Sequence, residues 1–173
     1  MKNSQTKIVI IIIVVLFVLV GVLASLNAKA VEEKKAMQNA QEFTINIASK
    51  TYTVDMAMLQ SIGIQDIHTN LKSSGKAAEA KVYQGVPFKA IIDKLSADSE
   101  GVQSFVFMAA DGYASAVTKD EAMDDKNCFI VTSEGGKSLG NKENGGSGPF
   151  MMVLVKEQFS QRWCKFLLEV NSK

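Results

Sequence analysis

The chain is short of the residues on which most catalytic and metal sites are built. Its 173 residues include one histidine, one arginine, one tryptophan and two cysteines. A Ser-His-Asp or Cys-His nucleophile system would have to be assembled around His68. That residue lies in a strand-like stretch where polar side chains recur at alternate positions, the pattern of a surface or half-buried histidine. The cysteines, Cys128 and Cys164, show no zinc-ligand spacing with each other, with His68 or with the scattered carboxylates, so no metal site is expected. Arg162 is the only arginine, so a bidentate guanidinium clamp on a phosphate or carboxylate is available at one position at most. An excess of one charge is missing too. Without Lys2 and Lys7, the 19 Lys and Arg residues become 17 against 18 Asp and Glu, which leaves no electrostatic footprint for nucleic acid.

What the chain does have is one long apolar run. From Ile8 to Ala24 there is no charged side chain, and Gly21 alone interrupts the apolar series. Counted on to Leu26 the run has 19 residues, about 28 Å of helix at about 1.5 Å per residue. That approaches the roughly 30 Å of a bilayer's hydrocarbon core. Residues 1–26 therefore read as an N-terminal membrane anchor, with residues 8–26 in contact with the membrane. Lys2 and Lys7 precede the run, which keeps the N-terminus inside and places the rest of this single-pass chain outside the cytoplasm. Ala28-Lys29-Ala30 has the small-x-small form of a signal-peptidase site, so the alternative is secretion after cleavage near Ala30. A signal's apolar region is usually only about 7–15 residues long, shorter than this one. No cysteine sits near the end of the run, which excludes a lipoprotein anchor. In an oxidising compartment Cys128 and Cys164 permit one disulfide. The other reading is that each is a small buried apolar residue, since each lies in an apolar segment.

Residues 27–42 form a polar stalk, helical or extended, and residues 43–173 the folded domain. Phe43–Ile47 and Tyr52–Val54 alternate as a β-hairpin. Asp55 caps a short helix carrying Met56, Leu59 and Ile62, and Gly63 ends it. Ile64–Leu71 and Ala77–Tyr83 are strand-like on either side of a turn-rich stretch. Pro87 opens a helix whose Phe88, Ile91, Ile92 and Leu95 make one apolar stripe. Strands follow at Val102–Ala110, Tyr113–Thr118, Cys128–Thr132, Phe150–Val155 and Leu167–Val170, with short helical turns at Lys119–Met123 and Gln158–Phe166. Ser133–Gly148 contains six of the chain's 12 glycines and is expected to be a mobile surface loop. Many short strands among short helices indicate an α+β domain.

The glycine-rich loop does not read as a phosphate cradle, because it runs through Gly148-Pro149 into an apolar strand and not into a helix N-terminus. Asp111-Gly112-Tyr113 reads first as a tight hairpin turn. Trp163, beside Phe159, Phe166 and Leu167, reads as a core anchor.

From Tyr83 to Val170 the sequence resembles the molybdopterin-binding domain of the sulfite-oxidase family. Tyr83-Gln84-Gly85-Val86-Pro87-Phe88 followed by Ile91-Ile92 is similar to that family's aromatic-x-Gly-Val-Pro-apolar approach to a helix. Asp111-Gly112-Tyr113, Gly148-Pro149-Phe150, and Trp163 with Lys165 leading to Leu168-Glu169-Val170 are similar to later elements of the family, in the same order. Phe43–Leu71 fits its opening hairpin and short helix more loosely. The resemblance implies an α+β fold with a mixed, partly barrel-like sheet and short helices, preceded here by one transmembrane helix.

In catalytic members of that family a cysteine thiolate upstream of the Gly-Val-Pro segment ligates molybdenum. Here the corresponding stretch, His68–Glu79, has Ser73 and Ser74 but no cysteine. A serine hydroxyl is a harder and far less acidic ligand than a thiol. Basic side chains that hold the pterin phosphate are also scarce. The reading that follows is a scaffold without its cofactor chemistry: a non-catalytic small-ligand-binding or accessory module with no cofactor. Its candidate cleft is bordered by His68, Ser73, Tyr83, Asp111 and Tyr113, and its partner is a small ligand or an envelope protein. The alternatives are a molybdopterin-dependent oxidoreductase with unusual metal ligation, or a structural subunit of a membrane complex.

Overall fold

The structure is a computed structural model that describes residues 2–72, 75 and 77–173. It divides into two compact units, Met1–Ala36 and Met37–Lys173. Helix α1, Lys2–Ala40, accounts for the first unit and the start of the second. Within it, Lys7–Met37 is long and apolar enough to cross a membrane. Its apolar side chains from Ile8 to Leu26 are exposed, and they leave no polar face for water. An α-helix satisfies its own backbone hydrogen bonds, as lipid requires. Of the two forms expected for the stalk, helical or extended, residues up to Ala40 are helical as part of α1, and Gln41, at φ 54°, precedes the first strand.

The second unit is α+β, with two sheets and no closed barrel. Strands β1 (Glu42–Ile47) and β2 (Lys50–Asp55) form the predicted hairpin. Ala48 and Ser49 hold positive φ in its two-residue turn, as the right-handed twist of such a hairpin demands. Asp55 then caps α2 (Met56–Ile62) by accepting from the Met58 amide at 2.7 Å, and Gly63 closes it at φ 107°. The first sheet is completed by β5 (Ser104–Ala109), β6 (Ala114–Thr118) and β10 (Leu167–Ser172), in the order β2-β1-β10-β5-β6. The last strand is therefore inserted between the first hairpin and the β5–β6 hairpin. It runs parallel to β1 and antiparallel to β5, which makes the sheet mixed.

The second sheet joins β3 (Gln65–Leu71), β4 (Glu79–Pro87), β7 (Cys128–Glu134), β8 (Lys137–Ser138) and β9 (Met151–Leu154). Strand β7 is its hub, pairing with β4 on one side and with β9 and then β8 on the other. Gly85 makes the β4–β7 contact possible. A Cβ there would stand 2.2 Å from the Ile130 carbonyl oxygen and 2.6 Å from Val131 Cα, and the register shifts at this point. The glycine of the Gly-Val-Pro motif thus has a steric reason to be glycine.

Helix α3 (Phe88–Lys94) follows Pro87 and buries Phe88, Ile91 and Ile92. The Phe88 ring meets Phe105 and Phe107 edge-on, each at 5.1 Å between centroids, and so ties α3 to β5 of the first sheet. Phe43 meets Phe150 in the same way at 5.1 Å. Each such phenylalanine contributes about 1.5–3 kcal/mol by leaving water.

The segment expected to be a mobile loop is folded. Ser133 and Glu134 extend β7, and Gly135 and Gly136 turn the chain at φ 56° and 77° into β8. The returning chain is hydrogen-bonded back on itself, Ser147 N to Leu139 O at 3.0 Å and Gly148 N to Gly140 O at 2.8 Å. A Cβ on Gly146 would lie 2.2 Å from the Leu139 carbonyl oxygen. These glycines allow two backbone runs to touch; the sequence count was the same as for a flexible linker, but the cause is close packing.

Candidate functional site

Among the described residues of the second unit, two concave regions bear on function. The larger, about 740 Å³, is lined by Asp120, Glu121, Asp124, Lys156, Glu157 and Arg162 among others. Both of its cations are engaged by its own carboxylates: Arg162 by Glu121 and Glu157, and Lys156 by Asp124. The one guanidinium clamp that the sequence offers is therefore closed on the protein's own carboxylates, and Glu121 is held down to about 2 chiefly by the Arg162 guanidinium. That region is a surface ion-pair network.

The smaller, about 540 Å³, is different in kind. Its apolar wall is Tyr83 from β4, Met151 from β9 and Trp163 from the segment before β10, and its charged residues are Glu134, Lys137 and Lys165. Tyr83 and Trp163 meet edge-on at 5.9 Å, and Trp163 Nε1 donates to the Leu154 carbonyl at 3.1 Å, which fixes the indole. The β7–β8 turn is held against β4 by Gln84, whose Oε1 accepts from Ser133 Oγ at 2.9 Å and from the Gly136 amide at 3.0 Å. The 163–165 segment is aimed by the next residue: Phe166 sits at φ 53° while its amide donates to Ser147 O and its carbonyl accepts from the Ala110 amide. A left-handed aromatic residue costs about 1–3 kcal/mol, which the surrounding bonds must offset.

Of the residues expected to border the cleft, Tyr83 lines this cavity. Tyr83 is 3% exposed, and burial followed by the Glu134 carboxylate pushes its phenol up to about 12. No protein group among the described residues hydrogen-bonds its hydroxyl. His68 stands on the exposed face of β3, opposite Val82. Asp111 and Tyr113 lie in the exposed β5–β6 turn, where Asp111 accepts from the Tyr113 amide and Tyr113 Oη donates to the Gln161 carbonyl at 2.7 Å. None of those three is among the residues that line this cavity. Ser73 lies outside the described residues. Sequence reasoning missed Met151, Lys137 and Lys165, which come from strands and turns far apart along the chain.

Cys128 and Cys164 are free and fully buried, with no disulfide between them. Cys164 lies between two cavity-lining residues, Trp163 and Lys165, yet does not line the cavity itself; it forms a bridge to Met152 in the core. Burial pushes its thiol up to about 12, and pushes that of Cys128 higher still.

No protein-family model and no curated protein sequence matches the chain. In three dimensions it is similar to the sulfane dehydrogenase SoxCD from Paracoccus pantotrophus, with a TM-score of 0.62 and 14% sequence identity. The fold resembles a molybdopterin-oxidoreductase domain. At that identity the likeness is one of fold alone. The match takes in 76% of this chain and 37% of the SoxCD chain, so this chain spans well under half of that neighbour.

The donor groups among the described residues do not fit a molybdenum–pterin group. A thiolate ligand needs an accessible, acidic sulfur, and both thiols are enclosed and strongly disfavoured as thiolates. The sole guanidinium is closed on Glu121 and Glu157, and the sole imidazole is on β3, away from the cavity.

Proposed function

We propose that this chain is a membrane-anchored, extracytoplasmic accessory module that uses a molybdopterin-oxidoreductase-like fold to hold a small ligand, without redox catalysis and without the cofactor. One observation carries the reading. The cavity has an aromatic wall and two lysines without an ion-pair partner among the described residues, while both sulfurs are buried and their thiols are held protonated, which supports a site without a thiolate ligand. Fold does not fix chemistry; the groups in the site do. The anchor reading is supported by the apolar stretch within α1, and the orientation by Lys2 and Lys7 ahead of it.

The test is to purify the full chain from its own envelope membranes and to assay metal content and extractable small molecules. The expected result is retention in the membrane fraction through high-salt washing, with neither molybdenum nor a pterin in stoichiometric amount. Stoichiometric molybdenum together with a pterin would overturn the non-catalytic reading. Release from the membrane by salt alone would overturn the anchor.

A further inference from the structure

We infer that the cavity beside Trp163 takes a small organic anion, with an apolar or aromatic body against Trp163, Tyr83 and Met151 and an acidic head at the ammonium groups of Lys137 and Lys165. The inference deepens the ligand-binding reading above and rests on it.

Charge gives the first argument. Three charged residues line the cavity, Glu134, Lys137 and Lys165. Glu134 is already answered by Lys81, whose Nζ stands 2.8 Å from Glu134 Oε1 and 2.7 Å from Glu79 Oε1. Lys137 and Lys165 have no ion-pair partner among the described residues, so the cavity presents a net positive charge. Two exposed lysines lining one cavity favour a carboxylate, sulfonate or phosphate head over a neutral or cationic one.

The wall gives the second. Trp163 is 6% exposed, Met151 1% and Tyr83 3%, so what each shows to the cavity is an edge of an otherwise packed side chain. An indole, a phenol and a thioether together suit a flat or apolar body. At about 540 Å³ the cavity falls in the range of small-molecule sites.

The Tyr83 hydroxyl gives the third. Tyr83 lines the cavity, its hydroxyl has no protein hydrogen-bond partner among the described residues, and it is not one of the fully enclosed unpaired polar atoms, so water or a ligand can reach it there. It stays protonated well above neutrality, so it remains a donor. An anionic oxygen is the acceptor that best matches it.

Trp163 is the only tryptophan in the chain, so its fluorescence reports this cavity without interference. Full-length protein in detergent is titrated with benzoate, with its neutral isostere benzamide and with benzylammonium, each against a micelle blank. Saturable benzoate binding is expected, at least about tenfold tighter than for either of the others, and weakened by salt. The double variant Lys137→Gln/Lys165→Gln should lose that preference, Lys137→Arg/Lys165→Arg should keep it, and Lys89→Gln on α3 should leave it unchanged. Equal or tighter binding of benzamide or benzylammonium overturns the anion assignment while leaving a ligand-binding module intact. No saturable response to any of the three overturns the assignment as well, and the accessory reading then stands or falls on the metal and pterin assay alone.

Discussion

Arg162 grips Glu121 with both arms of its guanidinium: Nη2 donates to Oε1 at 2.7 Å and Nη1 to Oε2 at 3.2 Å. The same Glu121 closes the capping box of α4 (Lys119–Ala122), accepting from the Thr118 amide at 3.1 Å while its own amide donates to Thr118 Oγ1. One carboxylate thus joins the start of a helix to the turn before Trp163. Its folded pKa, about 2, lies below the ordinary 4.5. A depressed carboxylate contributes stability above about 4.5 that is lost as pH falls toward about 2. Both partners are more than a third exposed, so solvent screening holds the contribution to about 1 kcal/mol. Urea unfolding of the wild type and Glu121→Gln should show a gap that closes over that pH interval. A gap independent of pH there would mean that the pair contributes nothing.

Gly85→Ala should be far more damaging than a surface glycine substitution. The added Cβ would meet the Ile130 carbonyl and Val131 Cα, both backbone, so no side chain can rotate away. Separating β4 from β7 there disturbs the hub of the second sheet, and a loss of about 3 kcal/mol or outright misfolding is expected. Gly101→Ala, where nothing lies within 4 Å but φ is 77°, should cost only about 1–2 kcal/mol. Thermal denaturation of the two variants side by side checks the contrast; equal losses would refute it.

What the sequence made legible was local. Asp55 as a cap, Gly63 as a stop, Pro87 ahead of an apolar stripe and the alternation of Phe43–Ile47 each depend on near neighbours in the chain, and each is found in the fold. The alternation that placed His68 at the surface is of the same kind, since Ile67 and Thr69 beside it are buried. The 133–148 segment was not legible, because a glycine needed for positive φ, such as Gly145, and one needed for close approach, such as Gly146, look alike until the opposing backbone is known. The cavity failed for a related reason. Tyr83, Lys137 and Lys165 become neighbours only after β4, β8 and the turn before β10 have all been placed.

The two thiols should be inert in the native protein. Each is fully buried and pushed well above the ordinary thiol range by burial, Cys164 to about 12 and Cys128 beyond it. The thiolate is the reacting species, so a disulfide-exchange reagent at mildly alkaline pH should label neither until denaturant is added, and then both. Rapid labelling of one thiol in the folded state would show a sulfur facing solvent or the cavity, and would reopen metal ligation.

Tyr83→Phe separates a structural phenol from a ligand-facing one. The hydroxyl makes no hydrogen bond to protein among the described residues, so its removal leaves no partner unsatisfied, and stability near neutral pH should change by less than about 0.5 kcal/mol. The alkaline limb should behave differently. Burial raises the folded phenol from 10.0 to about 12, so the folded state holds its proton after the unfolded chain has released it. Stability from this group is fully present below pH 10 and falls as pH rises through about 12. The wild type should therefore lose stability over that interval relative to Tyr83→Phe. Tyrosinate absorbance should show a late-ionising fraction that is missing in the variant. If the variant is instead markedly destabilised at neutral pH, the hydroxyl has a protein partner after all, and the third argument for an anion at this wall is lost.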